Sequence, residues 1–170
     1  LVLSDQPPTQ AERLVAAGLQ PTVYRTEAVG PLRAAAERSG GAPVEVHVKV
    51  DTGMQRVGAA PHEVVEVVDA VVGGAPALRL AGLSTHLAVA DEPGHPMNAA
   101  QLDRFDEVAT AVTERLRSAG LDPASLRVHV ANSAGSVALP RARRSFVRSG
   151  IALYGISPGP GVDHLVSGLR

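Results

Sequence analysis

Short runs of alternating apolar and polar positions recur along this 170-residue chain, separated by longer stretches with helical spacing. The clearest alternation lies at 44–50. Val44, Val46, Val48 and Val50 fall on one face and Glu45, His47 and Lys49 on the other, the period-two signature of a strand. The same reading predicts strands at 1–3, 22–24, 78–87, 126–132 and 146–148. Between them it predicts helices. One follows Thr9-x-x-Glu12, a capping-box spacing, and stops near Gly18. A second covers 27–38, with Pro31 tolerated in its first turn, and closes on Gly40-Gly41. A third covers 61–72 with a stripe of Val64, Val67, Val68 and Val71, and ends at Gly73. The fourth, 98–117, carries Leu102, Phe105, Val112 and Leu116 on one side. A short helix near Ser136 separates the last two strands.

Strands that alternate with helices imply parallel pairing and right-handed crossovers, in a doubly wound sheet or a barrel. The strand at 44–50 favours the barrel. Central strands of a doubly wound sheet are apolar on both faces, whereas here one face carries Glu45, His47 and Lys49, which can line a barrel mouth. The expected fold class is therefore α/β, a partial (β/α)8 TIM-type barrel. The sequence begins Leu1-Val2-Leu3 without Met, in a predicted strand, and reads as an internal piece of a longer protein. Residues 1–156 are expected to form an incomplete barrel domain. Residues 157–170, opening with Ser157-Pro158-Gly159-Pro160-Gly161, are expected to be a connector toward a further domain outside this sequence.

Composition narrows the chemistry. With 16 Lys+Arg against 17 Asp+Glu the formal net charge is -1, which argues against nucleic-acid and membrane-surface roles. There is no Cys, so thiol nucleophiles, thiolate metal sites and disulfides are excluded. Only two Phe and two Tyr are aromatic, too few for a base-stacking surface. Lys49 is the single lysine, so any chemistry needing a side-chain amine has one candidate. The six histidines show no metal-ligand spacing, and no metal site is expected. His62, His95 and His164 read as solvated, Tyr154 as packing, and Asp91-Glu92 before Pro93-Gly94 as a turn rather than a carboxylate pair.

Four ordered segments are more specific. They are Lys49-Val50-Asp51-Thr52-Gly53-Met54-Gln55-Arg56-Val57-Gly58, Gly82-Leu83-Ser84-Thr85-His86-Leu87-Ala88-Val89-Ala90-Asp91, His129-Val130-Ala131-Asn132-Ser133-Ala134, and Val147-Arg148-Ser149-Gly150-Ile151-Ala152-Leu153-Tyr154-Gly155. Together, in this order, they resemble the alanine racemase family, pyridoxal 5'-phosphate (PLP) enzymes with a barrel domain followed by a β domain. The resemblance implies that the chain supplies roughly the third to eighth barrel strands. The lysine that carries the cofactor would lie upstream of Leu1, and the catalytic tyrosine, from a partner subunit's second domain, downstream of Arg170.

The same resemblance implies roles for individual residues. Lys49 matches a lysine carbamylated by carbon dioxide in many members, where it orients the neighbouring arginine. Arg56 matches the arginine that donates to the cofactor's phenolic oxygen. Arg148 matches the arginine set against the cofactor's ring nitrogen; a guanidinium keeps its proton and leaves that nitrogen unprotonated. His86 matches a histidine between Arg148 and the partner's tyrosine, so His86 and Arg148 are supporting catalytic residues. Asn132, Ser133, Gly150 and Ile151 match cofactor and phosphate contacts, and Ser133 also reads as a helix cap. His129, three residues before Asn132, is expected behind the site, and His47, on the same face as Lys49, reads as lining the barrel.

The implied parent activity interconverts L- and D-alanine, supplying D-alanine for peptidoglycan, in a cytoplasmic homodimer that binds neither nucleic acid nor membrane. The isolated 170-residue piece is expected to be inactive. Two alternatives stay open: a racemase for serine or another small amino acid, and a non-enzymatic PLP-binding barrel protein.

Overall fold

The computed structural model describes residues 1–165. Four parallel strands form one sheet in sequence order: β1 (Thr22–Val23), β2 (Val44–Lys49), β3 (Leu78–Ser84) and β4 (Arg127–His129). Five α-helices accompany them: α1 (Ala11–Ala16), α2 (Val29–Ser39), α3 (Val64–Val72), α4 (Pro96–Ser118) and α5 (Ser133–Ala138). Neighbouring strands are joined through α2, α3 and α4, so the right-handed crossover pattern of a barrel arc follows directly from the alternation. This is the expected α/β partial barrel.

The core lies between the sheet and these helices. Val46, Val48 and Val50 are wholly buried under α3, whose Val64, Val67, Val68 and Val71 face inward, and Phe105 of α4 is also fully buried. The opposite face of β2 is also out of solvent: His47 is 0 % and Lys49 7 % exposed. That face looks into the barrel interior, and the polar row predicted from the alternation lies there.

Six strands were expected and four form ladders. The segment 1–3 holds only one bond to the β1 approach, Val2 N to Gln20 O at 2.8 Å, before Pro7-Pro8 turns the chain. Residues 146–148 run beside β4, with Ser145 N donating to Val128 O and Arg148 N to Ala131 O. The reciprocal Val128 N–H goes to the Ser145 hydroxyl instead, which interrupts the ladder. The 78–87 strand stops at Ser84 because the carbonyls of Thr85 and His86 are taken by side chains, Arg148 and Gln101. The 126–132 strand narrows to β4 for the same reason: Arg148 claims the carbonyls of His129 and Val130.

Helix ends also differ. No capping box forms at Thr9; a 3-10 turn over Pro8–Gln10 leads into α1 without a side-chain cap. Another 3-10 turn, Thr26–Ala28, precedes α2, which ends on Gly40 at φ +62°. α3 begins three residues later than expected, after a turn in which Glu63 Oε2 accepts from Ala60 N. α4 begins two residues earlier, at Pro96, because His95 Nδ1 accepts from Met97 N at 3.1 Å and serves as its cap. Tyr154 does not pack: it is 82 % exposed, beside exposed Ile151, Leu153 and Ile156. Asp91 and Glu92 do lie in a turn, and His62, His95 and His164 are exposed. Among the described residues no helix is long and apolar enough to cross a membrane.

Candidate active site

The loop after β2 is built to hold its shape. Asp51 Oδ1 accepts from the amides of Gly53 (2.8 Å) and Gln55 (3.1 Å), and Gln55 takes a positive φ of 55°. The chain then folds back so that Ala59 brackets the strand end, its amide bonded to Lys49 O and its carbonyl to Asp51 N. Gly58 makes that return possible, since at φ +140° a Cβ would sit 2.5 Å from Asp51 N. The loop carries Arg56 to an exposed rim above buried Lys49.

This loop is tied to the end of β3 through α4. Gln101, 0 % exposed, donates from Nε2 to Thr52 Oγ1 (3.2 Å) and to His86 O (3.0 Å), while its Oε1 accepts from Ala88 N (2.9 Å). The Thr52 and Thr85 hydroxyls meet at 2.8 Å, and Arg104 Nη1 donates to Thr52 O at 2.8 Å. The sequence reading missed Gln101. The signal was present: it stands within the buried stripe of α4, four residues before Phe105, where an apolar residue would ordinarily sit.

Arg148 closes the site from the other side. Its Nη2 donates to Thr85 O (2.7 Å) and Val130 O (3.0 Å), and its Nη1 to His129 O (2.9 Å) and His129 Nδ1 (2.8 Å); His86 Nδ1 lies at 3.4 Å from Nη2. The guanidinium is thus fixed by carbonyls and imidazole, with no carboxylate bound to it among the described residues. Burial lowers its pKa to about 10.

Leu3, Thr22, Lys49, Arg56, His86 and Arg148 line one cavity of about 430 Å³. Its electrostatics are one-sided. Burial, then Arg148 and Arg56, push the Lys49 amine below its ordinary value. Burial, then Arg148, Lys49 and Arg56, lower His86 to about 4, so its imidazole is neutral near pH 7. Asp51, the carboxylate that acts on Lys49, already spends one oxygen on the loop amides. A cavity of this kind suits an anion.

The remaining expected residues sit alongside, on the segments after β4. Ser133 is buried, and its Oγ accepts from Gly150 N at 2.9 Å and Ala152 N at 3.5 Å. Asn132, not Ser133, caps α5, with Oδ1 accepting from Gly135 N at 2.9 Å. That correction has a simple cause: Asn132 keeps an extended backbone while Ser133 is already helical. Ile151 is exposed. Asn132, Ser133, Gly150 and Ile151 do not line the cavity of Lys49 and Arg148, but Ser133 is bound to the chain two residues beyond Arg148.

Behind the cavity, burial first and then Arg127 lower His47 to about 4, against the opposing pull of Glu45. Burial, then Arg148 and His47, lower His129 to about 2. Both are neutral when folded, whereas the unfolded chain binds protons near pH 6.5. Stability from these groups is therefore complete above about pH 6.5 and is lost as pH falls, toward 4 for His47 and toward 2 for His129, on the order of 3 kcal/mol for each by pH 4. Thermal melts at pH 7, 5.5 and 4 check this, and the His47→Gln variant is expected to show a shallower acid slope than the parent chain.

The sequence and the fold are shared with known proteins. The chain is 41 % identical over 165 residues to an alanine racemase from Symbiobacterium thermophilum, covering 95 % of this chain and 41 % of that protein. Solved structures agree: alanine racemase from Streptomyces coelicolor superposes with a TM-score of 0.78 at 41 % identity, over 89 % of this chain and 39 % of the other. The enzyme from the D-cycloserine producer Streptomyces lavendulae superposes with a TM-score of 0.85 at 31 % identity, over 96 % and 42 %. The chain spans about two fifths of the length of these relatives. Residues 1–158 match the alanine racemase N-terminal domain, and with the shared barrel arc this places the chain in the alanine racemase family.

Proposed function

We propose that this chain forms most of the cofactor cradle of a PLP-dependent amino-acid racemase that interconverts L- and D-alanine as a homodimer. The observation that carries the reading is the seat of Arg148. Both terminal nitrogens are committed to carbonyls and His129, and Nε is the nitrogen without a protein partner among the described residues, in a cavity that also receives Lys49, Arg56 and His86. A phosphorylated pyridine fits a site lined by Arg56, Arg148 and Lys49, with no carboxylate bound to either arginine among the described residues. Arg148 would face the ring nitrogen, Arg56 the phenolic oxygen, and the Ser133 hydroxyl with the Ile151 amide the phosphate. Gly150 would act through Ser133, whose oxygen its amide already holds.

PLP, once joined to an amino acid, acidifies the Cα–H. The chain's part is to keep protons off the wrong atom. Arg148 cannot accept a proton and at a pKa near 10 does not readily surrender one, so a ring nitrogen facing it stays unprotonated. His86, neutral through burial beside Arg148, would relay that polarisation toward a proton-transferring group. Lys49, with its pKa lowered, is primed to add carbon dioxide. The neutral amine nitrogen would bond the carbon as one C=O π pair moves onto oxygen, its proton would pass to water, and the resulting carbamate would set a negative charge near Arg56 and Arg148.

A chimera tests this reading, with residues 1–158 replacing the matching segment of the Streptomyces coelicolor enzyme. It is expected to bind PLP and to racemise alanine at least tenfold faster than serine. Growth in ¹³C-bicarbonate should give a carbamate NMR signal that disappears in Lys49→Arg. A folded chimera that fails to bind PLP would sink the proposal. Binding without turnover would favour a PLP-binding barrel protein, and a preference for serine would move the substrate.

A further inference from the structure

Arg148's contacts continue behind the cavity into the barrel interior. Its Nη1 meets His129 Nδ1 at 2.8 Å, and His129 Nε2 meets His47 Nδ1 at 2.9 Å. His47 is 0 % and His129 1 % exposed. A guanidinium offers only donors, so His129 Nδ1 must accept. A neutral His129 then carries its proton on Nε2 and gives it to His47 Nδ1. His47 in turn carries its own proton on Nε2, a buried nitrogen without a partner among the described residues. We propose that His47 and His129 are positioning residues, a one-directional relay of two neutral imidazoles locked in the Nε2–H tautomer that fixes the guanidinium plane of Arg148.

Three features of the fold are shaped around this pair. Gly82 on β3 lies under the His47 ring, where a Cβ would come within 2.1 Å of Nδ1 and 2.5 Å of Cε1. The β2–β3 register shifts between Val46 and His47, the step that sets the ring over that glycine. Phe146 stacks on His129 at 4.5 Å between centroids and 25° between planes, holding the second ring from the strand side. The two rings meet at 64° between planes, an orientation that accommodates the nitrogen-to-nitrogen bond.

The charges around the pair discourage a further proton. Arg127 and Glu45 face His47 with opposite signs, while Arg148, Arg127 and Lys49 all act on His129 as cations. A proton on His47 Nδ1 would also set two donors against each other at 2.9 Å. The relay matters to the racemase reading because it aims Arg148, yet it concerns only residues of this chain and can be measured without cofactor or turnover.

Long-range ¹H–¹⁵N correlation NMR on the cofactor-free chain decides it. Both rings are expected to show a protonated Nε2 and an unprotonated Nδ1, unchanged from pH 8 to pH 5. A proton on Nδ1 of either ring, or titration of either above pH 5, would overturn the relay. Two variants then test its consequence through the Arg148 Nε–H. In His47→Gln an amide oxygen can still accept from His129, and solvent exchange of that proton is expected to stay within twofold of the parent. His47→Phe removes the acceptor, and exchange is expected to quicken at least tenfold. Equal exchange in both variants would count against positioning; if His47→Phe fails to fold, the tautomer result on the unmodified chain still decides. Loss of PLP binding with intact tautomers would tell against the racemase reading and leave the relay standing.

Discussion

Replacing Arg148 by methionine is expected to destabilise the chain by about 4 kcal/mol, the sum of several stranded acceptors at roughly 1 kcal/mol or more each. The carbonyls of Thr85, His129 and Val130 and the Nδ1 of His129 would all lose their donor. Relief works against this loss, because the buried cation has no carboxylate partner and its pKa is already lowered. The stranded acceptors outnumber the single charge, so loss wins. Arg148→Lys should recover little, since an ammonium is a point donor that cannot span carbonyls on two strand ends. Urea denaturation with an unchanged m-value is the measurement. A loss below about 1 kcal/mol would mean that water satisfies these carbonyls as well as the guanidinium does.

The second large effect is expected at Gly58. Alanine there meets backbone on every near side: Asp51 N at 2.5 Å, Val50 C at 2.7 Å and Asp51 Cα at 3.0 Å, none of which can swing aside. The φ of +140° adds strain of its own. Together these should cost about 3 kcal/mol or unlatch the loop altogether. Hydrogen exchange separates the outcomes. If the loop opens, the amides of Asp51 and Ala59, which pair across the return, should lose protection while those of β3 keep it. Gly94→Ala is the control, with nothing near its Cβ position, and should change stability by less than about 0.5 kcal/mol.

Much of this architecture was legible in the chain because it depends on period and on local stops. The valine rows of β2 and α3, the stripe of α4 and Gly40 each settle their own element. Strand ends were not legible in this way. Ser84 and His129 terminate their ladders because Arg148 and Gln101, distant in sequence, take the next carbonyls, and alternation carries no trace of that. The cavity was read from matching segments, and Lys49, Arg56, His86 and Arg148 do converge. The cap at Asn132 and the exposure of Tyr154 depend on backbone angles and on how neighbours pack, which residue types alone do not fix.

Gln101 joins two walls of one opening to a single long helix. Any sideways slip of α4 would drag the Arg56 rim and the His86 wall in concert, so the aperture would gape or narrow as a unit rather than one flap at a time. The width of that mouth should then respond to repacking beneath Phe105, a residue that does not line it.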